Sequence, residues 1–132
     1  PKIALVSQNL FEDGHYANAA EDAFVEINDR VKKLFMKVNP TASKIPDGHT
    51  AMNMVFSDNA PLLEFCDRST ETGSNIQKGY MQMLAGAMSA LRNPKAHANI
   101  TITKDDAMRR LMFASMLMYK IDEAVLYSNI KE

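Results

Sequence analysis

The apolar positions of this chain recur at helical spacing in three long stretches and in little else. From Tyr16 to Val38, the residues Ala19, Ala20, Ala23, Phe24, Ile27, Val31, Leu34, Phe35 and Val38 fall three or four apart. That spacing predicts one core-facing stripe on a helix. Glu21, Asp22, Glu26, Asp29, Arg30, Lys32, Lys33 and Lys37 take the opposite face, acids early and bases late, as the helix dipole favours. A second stripe, Ile76, Tyr80, Met83, Leu84, Ala87, Met88 and Leu91, predicts a helix opening at Ser74 or Asn75, both good N-cap types. Gly79, Gly86 and Ala90 share its surface, so a neighbouring backbone or a second subunit is expected to approach there. The third helix is predicted to open at Thr103, with Asp106 three residues on, and to run past Val125. It is apolar on more than one face between Leu111 and Leu126, which predicts burial on both sides, one against the domain core and the other against a partner.

The rest of the pattern is shorter. Ile3 to Leu10 reads as a brief helix ended by Glu12-Asp13-Gly14, and Asn39 to Gly48, with Pro40 and Pro46, reads as a loop. Thr50 to Phe56 predicts one or two helical turns with Met52, Val55 and Phe56 inward. Ser57 to Gly73 is compatible with a hairpin or with a helical turn and loop. The fold class is therefore all-α: a bundle of three to four main helices with short accessory ones.

Length and charge narrow the function more than the fold. The 132 residues suffice for one core, so a single domain over residues 1–132 is expected. The start at Pro1 is equally compatible with simple processing and with the C-terminal part of a longer protein. A net charge of −1 gives no overall pull toward nucleic acid or an acidic membrane. No segment reads as membrane-spanning, and the lone Cys66 fits a reducing cytoplasm, the expected location. The three histidines and Cys66 lack metal-ligand spacing, so neither a metal nor a cofactor is expected. His15 reads as a cap or surface residue and His49 as an exposed loop residue. Most of the ten methionines lie on the last two helices and read as adaptable core filler.

The candidate chemistry lies between the last two helices, in Arg92-Asn93-Pro94-Lys95-Ala96-His97. Taken alone, Arg92, Asn93 and Pro94 read as an ordinary helix end. His97 adds an imidazole able to move a proton at neutral pH, and Arg92 a fork of donors matched to phosphate oxygens. Together they suit metal-free cleavage of a phosphodiester. One imidazole does not conveniently serve as both base and acid, so a two-fold pair of motifs is expected to share the work. Between Gly86 and Lys120, the bases Arg92, Lys95, Lys104, Arg109, Arg110 and Lys120 outnumber Asp105 and Asp106. Lys95, Lys104, Arg109 and Arg110 are thus weaker candidates for RNA contact.

The hexapeptide resembles the Arg-polar-x-x-x-His motif of the HEPN superfamily, whose members are all-helical. The chain from about residue 10 to 125 is also similar to the Ymh-type family of phage and bacterial proteins. Asp13-Gly14-His15-Tyr16-Ala17-Asn18-Ala19-Ala20, the run from Leu84 to His97, and Ile121-Asp122-Glu123-Ala124 carry that likeness. The resemblance implies a homodimeric, metal-independent endoribonuclease leaving a 2′,3′-cyclic phosphate, with Arg92, Asn93 and His97 as site residues. It also implies a phage-defence or toxin setting with an antitoxin or regulatory partner. The alternative is a non-catalytic helical dimerisation module that binds a nucleotide, RNA or a regulatory protein.

Overall fold

A computed structural model describes residues 2–92 and 101–132. Among these residues the chain forms five helices and no strand: α1 (Lys2–Glu12), α2 (Tyr16–Val38), α3 (Gly48–Val55), α4 (Glu71–Ala90) and α5 (Lys104–Tyr127). The all-α bundle is as expected, with three long helices and two short ones.

Helix α2 is the central element, packed against α1, α3 and α5 and touching α4. Its predicted stripe forms the middle of the core, with Ala19, Ala23, Phe24, Ile27 and Val31 wholly buried. Met52 and Val55 enter from α3 and Phe56 from the position that closes it, Leu84 and Met88 from α4, and Leu117 and Ile121 from α5. Each such large side chain contributes about 1.5–3 kcal/mol by leaving water. Lys104 sits over the Phe11 ring, and Phe11 packs edge-on against Tyr16. Arg30 reaches the Met118 carbonyl further along. Helix α5 therefore runs parallel to α2, and the intervening chain carries α3 and α4 back across the bundle.

Three expectations need correction. Helix α4 opens at Glu71, before Ser74, because the Thr70 hydroxyl accepts the Gly73 N–H at 3.0 Å and caps the first turn. For the segment before it, where two readings stood open, turns and bends are found and no hairpin strands. Buried Gln77 organises it: its Oε1 accepts the Phe65 N–H at 2.9 Å, and its Nε2 donates to the Phe56 and Leu63 carbonyls at 3.0 and 3.1 Å. Arg30 does not join the solvated face of α2, because it is only 5% exposed. Its guanidinium grips Glu132 with a two-pronged fork at 2.7 and 3.0 Å and meets Asp122 at 2.6 Å.

The methionines are the third correction. Met52, Met88 and Met118 fill the core, but Met36, Met54, Met83, Met108, Met112 and Met116 are exposed. Among the described residues α5 is covered on one face; Met108, Met112, Met116 and Tyr119 on its other side are exposed. Gly79 and Gly86 likewise meet nothing: a methyl group built at either would touch no atom within 4 Å. The packing of the described residues does not call for these glycines.

Candidate functional site

The last turn of α4 sets the position of Arg92. The Leu91 and Arg92 backbone N–H groups both donate to the Ala87 carbonyl, at 2.9 and 3.2 Å, which closes the helix. The side chain then crosses to the junction between α2 and α3. Its Nη1 lies 3.6 Å from Asp47 Oδ2, and the side chain remains 23% exposed. The Nε is sealed from solvent without a hydrogen-bond partner among the described residues.

The floor beneath it is unusually close. A methyl group at Gly48 would stand 2.7 Å from Arg92 Nη2, so the guanidinium rests on a backbone that only glycine leaves bare. Gly48 also has φ of +56°, in the left-handed region where a side chain is strained. One buried residue of α2 holds this corner. Asn28 Oδ1 accepts the Gly48 N–H at 2.9 Å, and its Nδ2 donates to Asp47 Oδ1 at 2.8 Å. Lys32, one turn along α2, brings its ammonium to 3.5 Å from the same Asp47 oxygen. The Asn28 hydrogen bond, with help from Arg92 and Lys32, holds the Asp47 carboxyl below its ordinary range. It is ionised at neutral pH. Two cations thus flank a single carboxylate beside the end of α4.

Of the expected site residues, Arg92 belongs to this cluster; Asn93, Lys95 and His97 lie outside the described residues. Lys104, Arg109 and Arg110 are not brought to it. Lys104 lies 6.0 Å from the Phe11 ring centre, and Arg110 pairs with Asp106 at 3.0 Å on the same helix. These belong to the α5 end near Tyr16, whereas Arg92 sits beside Asn28, about 18 Å further along α2. His15 precedes the first turn of α2, and its side chain makes no cap bond. His49 is exposed, with Nδ1 3.1 Å from Asn53 Nδ2. No group of three or more histidine, cysteine or acidic side chains able to hold a metal occurs among the described residues. Nor, among them, is any helix long and apolar enough to cross a membrane.

Sequence reading missed Asn28, Asp47 and Gly48. Asn28 carried a signal, since it is a polar residue beside Ile27 and one turn before Val31, on the buried side of the α2 stripe. Asp47-Gly48 looked like a turn, and nothing local tied it to Arg92.

The structure therefore defines an all-helical protein with a partly exposed arginine anchored at a helix junction. The sequence matches the family described as "Protein of unknown function (Hypoth_ymh)" over residues 1–121, and the chain belongs to that family. No curated protein and no solved structure matches it significantly.

Proposed function

We propose that the protein is a metal-independent endoribonuclease of HEPN type, active as a homodimer in the cytoplasm. The observation that carries this reading is the Arg92 guanidinium, pinned beside Lys32 at the end of α4 and still open to solvent. A fixed cationic fork costs little reorganisation when charge builds on phosphate oxygens. His97 follows five residues later, within the reach of a short connection. It takes the proton of the ribose 2′-hydroxyl. The 2′-oxygen attacks phosphorus, the bond to the 5′-oxygen breaks, and the cyclic phosphate forms. A second His97, from the partner copy, protonates the departing 5′-oxygen. Asn93 orients the phosphate or the imidazole, and Lys95 supports the RNA strand. An antitoxin or other regulatory protein would hold such an activity in check, as a phage-defence role requires.

The test uses purified protein and single-stranded RNA in the presence of EDTA. Wild type is expected to leave 2′,3′-cyclic phosphate ends. His97→Ala and Arg92→Ala should each lose about 100-fold or more in rate. Wild type inert across varied RNA sequences would overturn the reading and favour a non-catalytic binding module.

A further inference from the structure

We infer that Asp47 is the positioning residue for Arg92: fixed from below by Asn28, its carboxylate sets the direction in which the guanidinium presents its donors. The inference rests on the reading of Arg92 as a phosphate ligand, and three observations support it. Asp47 is held by a neutral amide that cannot satisfy its charge, at 2.8 Å, and its second oxygen faces Arg92. The same amide fixes the Gly48 N–H, so carboxylate and glycine platform move as one piece. The guanidinium is seated between them, with Nη2 over Gly48, Nη1 toward Asp47 and Nε sealed. Lys32 adds a second cation, so the corner keeps a net positive charge while Asp47 orients Arg92.

The arrangement assigns Gly48 a matching part. Any side chain there would push the guanidinium off its platform, because the contact is with the far end of a flexible side chain that yields first. Asp47 touches neither RNA nor a reacting atom in this scheme. It acts through Arg92.

The decisive variant is Asp47→Asn. Its carbonyl still accepts from Asn28, so the loop stays attached to α2, but its neutral amide gives Arg92 no counter-charge. Two readouts are taken on the full chain. The first is hydrogen exchange of the Arg92 Nε–H by NMR, with the signal assigned by its loss in Arg92→Lys. The second is RNA cleavage in EDTA, resolved into kcat and KM. Asp47→Asn is expected to melt near wild type, to exchange Nε–H about tenfold faster or more, and to lose kcat about tenfold or more with KM little changed. Asp47→Ala should match it in kcat but melt lower, and Gly48→Ala should speed the same exchange. Unchanged Nε–H exchange in Asp47→Asn would overturn the inference whatever the RNA result. So would a wild-type kcat in an active Asp47→Asn enzyme. If wild type does not cleave RNA but the exchange still responds, Asp47 stands as the residue that positions Arg92, and only the nuclease reading falls.

Discussion

Arg30 shows how one buried charge can organise a small bundle. Its guanidinium is out of water, and it is accommodated because Glu132, Asp122 and the Met118 carbonyl together surround it. Replacing it by Met removes the fork while keeping most of the apolar volume. The partner carboxylates are part-exposed and can recover water, so the loss is expected to be about 2–3 kcal/mol, below that of a sealed pair. Urea melts would measure it. The pH dependence has a definite sign. The Arg30 hydrogen bonds hold the Glu132 carboxyl below its ordinary value of 4.5. A depressed carboxyl gives its full stabilisation above that ordinary value and loses it as pH falls through the folded one. Wild type should therefore lose stability between pH 4.5 and more acidic conditions more steeply than Glu132→Gln, as thermal melts across that range would show.

At the scale of elements, the boundaries that sequence patterning placed well were those marked by apolar periodicity. Helix α2 ends where its stripe ends, and Thr103 caps α5 by accepting the Asp106 N–H at 3.1 Å. Helix α4 began early because Glu71 to Ser74 carry no apolar stripe; their signal was the Thr70 cap alone. Polar residues that serve the interior were invisible for a related reason. Gln77 has the composition of a surface residue, and only the fold reveals the three backbone groups that it satisfies. Gln77→Leu would leave the Phe65 N–H and two carbonyls buried without partners. We expect a loss of about 2–4 kcal/mol in urea melts, with the Phe56–Phe65 stacking disturbed. In the candidate site, Arg92 was legible because His97 follows it five positions on; by itself it reads as an ordinary helix end. Its neighbours Asn28 and Asp47 were not, since both are brought to it by folding from more than forty positions away in the chain.

For the whole molecule, the unfinished surface is the outer side of α5. Met108, Met112, Met116 and Tyr119 line one face, and Met112 alone is 66% exposed. An apolar stripe of that kind is a natural contact for a second copy, which the proposed shared site requires. If so, Met112→Lys combined with Met116→Lys should convert a dimer to monomer in size-exclusion chromatography with light scattering. The melting temperature at high dilution should change little, because neither side chain belongs to the core. A wild-type monomer at every concentration would remove the two-fold arrangement from the catalytic scheme.

The parallel course of α2 and α5 has one more consequence. Lys2 and Ile3, at the start of α1, line the same cleft as Met118, Tyr119 and Asp122, while Glu132 folds back onto Arg30 beside them. The beginning and the close of the chain thus meet at one corner of the bundle. A short glycine-rich tether would join them head to tail, and the exposed stretch 40–45 offers a place to reopen the ring. Any module fused to either terminus would emerge from that shared corner.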